Sequence, residues 1–418
     1  MSGVEGQRII HVPRRYVREE WGGTESVVWG LCQEQLRAGW RPEVVTSLAL
    51  SRCREERMGG VPVKRFGYGY PYFGLSPAQK AALDKKGGNL VSFPLFRHLL
   101  TVPEVRLFHA HALKRLGGEV MTAARWRRKP CVVSIHGGFF DVPEEEQASL
   151  RQPVQGRWEW GKVLGAFFGS RRILEQADMV ICVGHGEYDA ARQHLSHDRI
   201  AYLPNGVETG KFDRGDGQRF RRAHGISPAT FVVLSIGRID AQKNQELLLR
   251  AFARFQARRR DSRLVLAGPV TQPDYERRLR RILAVEGLEN LVHWLGPVSF
   301  EGSDLADVYQ ASDLMVVPSR HEPFGIVVLE AWCCRKPVIA SSVGGMRHLV
   351  EEDRTGLFVD PTAEGAEEVL AQRMEQLAGD PERARRLGLA GREEVEKVYD
   401  WRRIAGRLEA LYQRAEGR

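Results

Sequence analysis

Short apolar runs and amphipathic helical stretches alternate along the second half of the chain. Residues 231–236 form one apolar run, and residues 244–258 then place their apolar side chains on a single helical face. This change of period predicts a strand followed by a helix. The other strands predicted in this half are 264–267, 292–295, 314–317 and 338–340, with helices at about 275–285 and 305–311 and another after Gly325. Strands that alternate with helices favour an α/β fold with a parallel, doubly wound sheet.

The first half follows the same order of elements in a looser form. Predicted strands are 8–12, 44–45, 107–111, 132–135 and 179–183, and a helix is predicted at 26–38. Two segments interrupt the pattern. Residues 66–100 are rich in Gly, Pro and aromatic residues, and residues 139–169 are acidic and then rich in Trp and Phe. Long irregular segments in a compact α/β domain are typical of lids and binding loops.

The length of the chain predicts two domains, because 418 residues exceed one ordinary hydrophobic core. Pro204, Asn205 and Gly206 form a turn signal between two apolar patterns, so we expect domains of residues 1–205 and 206–399. The C-terminal segment 400–418 contains a predicted helix at 401–414. We expect this helix to pack back onto the first domain.

The net charge of +9 and the pI of about 9.3 leave three classes of partner open: nucleic acid, an anionic membrane surface, or a polyanionic small substrate. The densest basic runs are 125–129 and 258–260. No aromatic platform interleaves with either run, which argues against nucleic acid. Each run suits a solvated helix end, and contact with membrane phosphates is the alternative.

No apolar run approaches the roughly 18 to 20 residues that a membrane span needs. The first eight residues are polar and lack the apolar core of a signal peptide, so we expect a cytoplasmic protein, with peripheral contact at the inner face of the membrane left open. The six cysteines form no CxxC pair and are expected to be buried free thiols. His109 and His111 have no third ligand nearby in sequence, so no metal site is predicted.

Glycine and basic residues follow the strands of the second half, at the edge where open α/β sheets bind ligands. Gly237 and Arg238 follow one strand, Lys243 comes shortly afterwards, and Gly268 follows the next strand. Glycine lets a backbone approach a ligand closely, and Arg and Lys supply positive charge for a diphosphate. This edge therefore suits a phosphorylated ligand.

The segment 321–330 carries the sharpest signal. Pro323 and Gly325 break regular structure, and a helix is predicted to begin at about Gly325, where free backbone N–H groups form an anion site. Glu330, about one turn into that helix, would repel a phosphate and suits ribose hydroxyls instead. Glu322 could accept hydrogen bonds from a second hydroxyl-rich ring. Either carboxylate alone could be a surface charge, but with the two bases they indicate a nucleotide-sugar site.

On these residues the chain resembles the GT-B class of retaining glycosyltransferases, family 4 of that group, over nearly its whole length. The resemblance implies two Rossmann-like domains facing across a cleft, the first for the acceptor and the second for the donor. The motifs that carry it are Gly22-Gly23, His136-Gly137, 204–207 with Phe212, Gly237-Arg238 with Lys243, Gly268, Pro318-Ser319, 322–325 with Glu330, 340–345 and 356–359.

The resemblance implies roles for the second half. Arg238 and Lys243 would bind the donor diphosphate and stabilise the leaving phosphate. Glu322 would hold hydroxyls of the transferred sugar, and Glu330 would hold the ribose. The implied donor-binding set also includes Gly237, Gly268, Phe324, Gly325 and Ile326, the last three through backbone N–H groups.

Three residues of the first half also receive roles from the resemblance. His136 would face the transferred sugar near its C6 hydroxyl, and Gly22 and Gly23 would lie in a loop over the diphosphate or the acceptor. One departure from the family pattern is Asn244, which stands where a glycine often follows the lysine.

The chain contains no Asp-x-Asp pair, which metal-dependent transferases of the other major fold use to hold a cation on the diphosphate. We therefore expect a reaction that needs no metal and no other cofactor, with Arg238, Lys243 and the helix N-terminus stabilising the leaving group. The resemblance, together with the lack of an obvious carboxylate nucleophile in the first half, predicts retention of anomeric configuration.

The partners are predicted only by class. The donor is expected to be a UDP-sugar, with GDP-mannose as the next choice, and the acceptor a sugar, a glycan or a lipid-linked carrier. The aromatic segments 66–96 and 158–168 are expected to shape the acceptor site, where they suit a sugar face or a lipid equally well. A nucleotide-sugar epimerase, a phosphorylase and a non-catalytic binding protein are the alternative functions.

Overall fold

The computed structural model of the chain describes residues 6–85, 87–137, 140, 152–299 and 303–417. The chain divides into two compact units, Met1–Asn205 together with Trp401–Arg418, and Gly206–Asp400. The division lies within the turn at residues 204–206. Residues 139 and 141–151, part of the interrupting segment 139–169, lie outside the described residues.

The first unit is built on an eight-stranded sheet in the order β3-β4-β2-β1-β5-β6-β7-β8. Its strands are β1 (Arg8–Val12), β2 (Arg41–Ser47), β3 (Glu55–Met58), β4 (Val61–Phe66), β5 (Val105–Ala110), β6 (Cys131–Ile135), β7 (Met179–Cys182) and β8 (Ile200–Tyr202). Neighbouring strands are parallel except β3 and β4, which pair antiparallel. The central strands β5 and β6 are buried along their whole length, as expected for a parallel sheet covered on both faces.

The described helices of the first unit are α1 (Gly23–Arg37), α2 (Pro77–Lys85), α3 (Phe93–Thr101), α4 (Lys114–Trp126), α5 (Lys162–Phe167), α6 (Ile173–Gln176), α7 (His185–His194) and the C-terminal α17 (Trp401–Glu416). Helix α17 packs against α1. A Cβ at Gly30 would lie 2.1 Å from the Trp401 indole, so glycine permits the close approach. Arg106 of β5 binds Glu409 and Glu416 of α17 at 2.6 Å each.

The second unit contains a six-stranded parallel sheet in the order β11-β10-β9-β12-β13-β14. Its strands are β9 (Phe231–Ile236), β10 (Ser262–Ala267), β11 (Val292–Gly296), β12 (Leu314–Val317), β13 (Val338–Ser341) and β14 (Leu357–Val359). The strand order reverses between β9 and β12. Open sheets of this kind bind ligands at the carboxyl ends of the two strands that flank such a switch.

The described helices of this unit are α8 (Thr209–Phe212), α9 (Gly217–Ala223), α10 (Gln245–Arg258), α11 (Pro273–Val285), α12 (Asp304–Ala311), α13 (Ile326–Cys333), α14 (Met346–Leu349), α15 (Ala366–Gly379) and α16 (Pro381–Glu394). Trp332 anchors α13 in the core. Its side chain is fully buried, its Nε1 donates to the carbonyl of Thr355 at 3.0 Å, and a Cβ at Gly391 would lie 2.2 Å from the indole. Helix α13, which also packs against β12, is therefore anchored in the core near its C-terminal end.

All the predicted strands are present, with shifted ends, but several elements differ from prediction. Helix α1 begins at Gly23 rather than residue 26, and the segment predicted to be irregular at 66–100 contains α2 and α3. The hairpin of β3 and β4 was not predicted. Strand β3 reads Glu-Glu-Arg-Met and is mostly exposed, and such charged, short edge strands lack the apolar run by which strands are recognised.

Five of the six cysteines are buried, but Cys53 is exposed, so the prediction of burial is wrong for that residue. Burial raises the pKa of the Cys182 thiol to about 12. Within the described part of the chain, no helix is both long enough and apolar enough to cross a bilayer.

Candidate active site

The loop after β9 is organised by Asp240, which is almost fully buried. Its Oδ1 accepts a hydrogen bond from the backbone N–H of Lys243 at 3.1 Å, and its Oδ2 accepts from the Thr271 hydroxyl at 3.2 Å. The same Oδ2 lies 3.3 Å from Nε of Arg238. A buried carboxylate is stable only with such partners. Asp240 thus positions both predicted bases, although sequence motifs gave it no role.

Lys243 and Glu322 form an ion pair between the loops that follow β9 and β12. The Lys243 Nζ lies 2.5 Å from Glu322 Oε2, and the two side chains are only 19% and 11% exposed. The Ser319 hydroxyl donates to the same Glu322 oxygen at 3.2 Å. Because β9 and β12 are neighbours in the sheet, their loops bring together two residues that are distant in sequence.

Gln242 joins the same two loops through two hydrogen bonds and makes a third within its own loop. Its Oε1 accepts from Arg238 Nη2 at 2.9 Å, and its Nε2 donates to the carbonyl of His321 at 3.1 Å. Its own carbonyl accepts from the backbone N–H of Arg320 at 2.8 Å. Arg238 is therefore held relative to the peptide that precedes Glu322. Gln242 could not be recognised from sequence motifs, because two of its three partners lie at the end of a different strand.

The backbone conformation at Asn244 shows why Asn can stand where the family often has glycine. Its backbone is left-handed, with φ 54° and ψ 42°, a conformation that glycine adopts freely and Asn tolerates better than most residues. Its Nδ2 donates to the carbonyl of Pro318 at 3.2 Å. An Asn at this position therefore keeps the turn before α10 and adds a further hydrogen bond to the loop after β12.

The N-terminus of α13 supplies an anion site beside this ion pair. Gly325 is the N-cap residue and has φ 102°, which favours glycine. Phe324 is buried, and Ile326 begins the helix. The first N–H groups of a helix have no intrahelical acceptor and carry partial positive charge, so they bind anions. The backbone N–H of Gly345 bonds the carbonyl of Glu322 at 2.8 Å and holds the preceding loop.

Gly237 and Gly268 follow β9 and β10 and touch each other. Gly268 has φ 141°, and a Cβ there would lie 1.9 Å from the carbonyl oxygen of Gly237. The backbone N–H of Gly268 also donates to the carbonyl of Gly296 at 2.7 Å. A side chain at 268 would force the two loops apart, so this glycine has a packing role in addition to any contact with a ligand.

Glu330 is linked to Tyr309 of α12. The Tyr309 hydroxyl donates to Glu330 Oε2 at 2.6 Å. Burial raises the pKa of Glu330, while the Tyr309 hydrogen bond and the charge of Lys211 act in the opposite direction. A half-buried carboxylate held through one oxygen retains acceptor capacity on the other, which suits the binding of hydroxyl groups. Tyr309 was missed because the predicted helix around it showed only apolar spacing.

Gly22 and Gly23 belong to the first unit, and their predicted loop is wrong in detail. Gly22 is the N-cap of α1 and Gly23 is the first residue of the helix. The carbonyl of Gly22 accepts the backbone N–H of Ser26 at 3.0 Å. The pair therefore forms a helix N-terminus, which is itself a place where an anion is favoured.

Four histidines of the first unit lie together at the carboxyl ends of β1, β5 and β6. His11 is in β1 and His109 is its register partner in β5, while His111 and His136 directly follow β5 and β6. His11 Nδ1 lies 2.9 Å from His111 Nε2, and His111 Nδ1 lies 2.8 Å from His136 Nε2. Sequence spacing gave His109 and His111 no third histidine, because His11 is nearly 100 residues away.

Ligand atoms of His11, His109 and His111 lie within 4.8 Å of one another, as a metal site would require. Each ring nitrogen of these three already has a hydrogen-bond partner. The arrangement is thus a hydrogen-bonded chain, and a metal ion would have to break it. Burial lowers the pKa of His11 and His136 to about 4, and it lowers the pKa of His109 and His111 well below the usual range.

Comparison with known proteins matches each of the two units to a glycosyltransferase family. The family described as Glycosyltransferase Family 4 matches residues 21–211, and the family described as Glycosyl transferases group 1 matches residues 216–394. A D-inositol 3-phosphate glycosyltransferase of Kineococcus radiotolerans is 32% identical over 361 residues, which are 80% of this chain and 76% of the relative. An alpha-maltose-1-phosphate synthase of Mycolicibacterium smegmatis is 33% identical over 66% of this chain and 74% of the relative.

Other relatives match over shorter segments. The chain spans about half the length, 46%, of a D-inositol 3-phosphate glycosyltransferase of Pseudarthrobacter chlorophenolicus to which it is 36% identical, over 46% of its own length. Among solved structures, sucrose-phosphate synthase from Thermosynechococcus elongatus gives a TM-score of 0.75 at 23% identity, with 98% of this chain and 99% of that chain covered. HepE from Anabaena in complex with UDP-glucose gives 0.72 at 20% identity, with coverage of 97% and 99%. The chain has the GT-B fold and belongs to glycosyltransferase family 4.

Proposed function

We propose that this chain is a glycosyltransferase that moves a hexosyl group from a nucleotide diphosphate sugar to a hydroxyl of a sugar, a glycan or a lipid-linked acceptor. The Lys243–Glu322 pair carries the proposal. A diphosphate needs positive charge and a sugar ring needs hydrogen-bond acceptors, and this pair offers one of each beside the N-terminus of α13. At the same edge of the sheet, Arg238 would add positive charge for the diphosphate, and Glu330 would bind the ribose of the nucleotide.

The residues of the second unit would assist the departure of the nucleoside diphosphate. As the bond between the anomeric carbon and the phosphate oxygen breaks, negative charge grows on the leaving phosphate. Arg238, Lys243 and the α13 N-terminus would stabilise that charge, and preorganised donors of this kind contribute about 2.7 to 4 kcal/mol each. These groups take the place of the divalent cation that other transferases use.

Retention of configuration is the stereochemistry that we propose. The acceptor oxygen would bond to the anomeric carbon on the face from which the diphosphate leaves, and the acceptor proton would pass to the departing phosphate oxygen. The family resemblance and the lack of an obvious carboxylate nucleophile in the sequence of the first half support a route without a protein nucleophile. Proton NMR of the product's anomeric position tests this, and an inverted linkage would refute it.

The donor is proposed to be a UDP-sugar, with GDP-mannose as the second choice. HepE, which shares the fold, was solved with UDP-glucose, and two of the relatives are named for D-inositol 3-phosphate. UDP-glucose and D-inositol 3-phosphate are therefore the first donor and acceptor to try. A thermal-shift screen of UDP- and GDP-sugars should raise the melting temperature for one base only.

Release of nucleoside diphosphate then separates the candidate functions. A transferase releases it when an acceptor is added, whereas an epimerase converts the donor without releasing it and a binding protein does neither. A phosphorylase would instead consume the donor with inorganic phosphate. Glu322→Gln should abolish most release, and Glu393→Gln, an exposed glutamate of the same unit, should leave it unchanged. Failure of every donor to bind or react would overturn the proposal.

Peripheral membrane contact is a second part of the proposal, and it rests on an exposed surface of the first unit. Seven of the nine large apolar side chains exposed in the described chain lie in or near the two aromatic segments: Phe73, Phe93, Trp126, Trp158, Trp160, Val163 and Phe167. The rings of Phe73 and Trp158 stack at 5.2 Å, and Phe96 contacts both Trp126 and Phe168. Exposed basic residues accompany them: Arg97, Arg125, Arg128, Arg157, Lys162, Arg171 and Arg172.

Exposed aromatic rings among basic residues suit an anionic lipid surface, where each basic residue contributes about 1 kcal/mol. Cosedimentation with vesicles of neutral lipid, with and without anionic lipid, tests this contact. We expect binding only to the anionic vesicles and a loss of binding in Val163→Ser. The matched control is Val285→Ser in the second unit, because the two valines are 75% and 84% exposed. Equal loss in both variants, or no binding at all, would refute the contact.

A further inference from the structure

An unbroken chain of hydrogen bonds runs through the interior of the first unit and ends at His136. It passes from His136 to His111 at 2.8 Å, to His11 at 2.9 Å, and to the Gln35 amide at 2.8 Å. Gln35 Nε2 then donates to the Tyr412 hydroxyl at 3.3 Å. Beyond Tyr412 the chain continues to His109 and Ser134, at 2.7 Å for each step.

The charge state of the histidines restricts the part of this chain from His136 to Gln35 to two arrangements. Burial disfavours the imidazolium form of all four, so each ring has one N–H and one bare nitrogen. In a row of neutral imidazoles, each ring must accept from one neighbour and donate to the other. The N–H groups of His136, His111 and His11 therefore all point in the same direction, and the direction at the Gln35 end sets the tautomer of His136.

Gln35 decides the direction, because an amide oxygen can only accept. Its Oε1 faces His11 Nε2, so His11 carries its proton on Nε2 and accepts at Nδ1. His111 must then donate from Nε2 and accept at Nδ1, and His136 must donate from Nε2. His136 Nδ1 is left bare. This nitrogen is buried and has no hydrogen-bond partner among the described residues.

The arrangement in which all the N–H groups of the row point the other way is disfavoured at His136 Nδ1. If the Gln35 amide were turned over, His136 Nδ1 would carry a buried N–H without an acceptor. Orphaned buried N–H groups are rarer in proteins than orphaned acceptors. Gln35 is itself buried and belongs to α1, whose packing against α17 also brings Tyr412 into place.

We infer that Gln35 is a positioning residue that acts through His11 and His111 to hold His136 as the Nε2–H tautomer, with Nδ1 left bare as a hydrogen-bond acceptor. The ligand chemistry that fits this atom is an O–H donor. The inference rests on the proposed function only where it identifies that O–H group as a hydroxyl of the transferred sugar. The tautomer follows from the first unit alone.

Nitrogen-15 NMR of histidine-labelled protein without ligand tests the inference. Long-range proton–nitrogen spectra distinguish the two neutral tautomers, and the His136 signals are those lost in His136→Asn. In the wild type we expect a protonated Nε2 and a bare Nδ1. Gln35→Met removes both the acceptor and the donor at similar length, so the His136 signals should report a mixture of tautomers.

The control is Gln33→Met, on the same helix, whose side chain bonds the carbonyl of Gly59 at the protein surface. It should leave the His136 signals unchanged. A wild-type His136 with its proton on Nδ1, or an unchanged His136 spectrum in Gln35→Met, would overturn the inference. The wild-type measurement stands even if Gln35→Met fails to fold, and neither measurement depends on turnover, so failure of the proposed function would be seen separately.

Discussion

Substitution of Lys243 and Glu322 tests the site directly. We expect the effects of the two substitutions on the free energy of unfolding to depend on each other, and we expect the double variant to recover no turnover. Lys243→Met leaves the Glu322 carboxylate mostly buried with only the Ser319 hydroxyl as a partner at Oε2. Removing one partner of a buried pair costs about 3 to 5 kcal/mol. Because Lys243 is 19% exposed and water reaches its head group, we expect the lower end of that range or slightly less.

The double variant should be less destabilised than the sum of the two single changes. Glu322→Gln strands the Lys243 ammonium in the same way, and together the two changes remove both stranded charges. The interaction free energy from the double-mutant cycle should therefore be about 1 to 3 kcal/mol. Urea unfolding of the four proteins at pH 7 measures it.

Turnover should behave differently, because in the proposed donor complex Lys243 would act on the diphosphate and Glu322 on the sugar ring. Each single change should lower kcat/KM by about 100- to 1,000-fold, and the double variant should recover nothing. Lys397→Met and Glu393→Gln, both exposed in the same unit, are the matched controls. Additive stabilities would refute the coupling, and turnover restored in the double variant would refute the separate roles.

Three further predictions concern the metal, the pH dependence and the fold. Turnover should persist in excess EDTA, and a loss reversed by a divalent ion would point instead to His11, His109 and His111. Burial raises the pKa of Glu119 to about 8, so the folded state holds this proton more tightly and loses stability as pH rises from about 4.5 to 8, at up to about 1.4 kcal/mol for each pH unit. Glu119→Gln should flatten this slope in urea unfolding at pH 5.5 and 8.5, and an unchanged slope would contradict it. Gly268→Ala should lower the melting temperature strongly, since the new Cβ would lie 1.9 Å from a carbonyl oxygen, whereas Gly379→Ala meets no atom within 4 Å and should not.

The sequence by itself determined the fold class and predicted the donor half of the site. Apolar runs such as Phe231–Ile236 identify strands, because buried parallel strands need apolar side chains on both faces. Lys243, Glu322 and Gly325 are recognisable in the sequence because a phosphate, a sugar ring and a helix start each demand a particular residue type. Residues of this kind can be recognised from the local sequence, without knowing which distant residues contact them.

Only the tertiary structure decided which polar residues support those groups. Asp240, Gln242 and Tyr309 act through partners on other strands and helices, so spacing along the chain carries no trace of them. Gln35 is the extreme case, since its link to His136 passes through residues from α1, β1 and the end of β5. The physical reason is that hydrogen bonds in a protein interior depend on distance in space, which the order of strands in the sheet sets and the sequence states only indirectly.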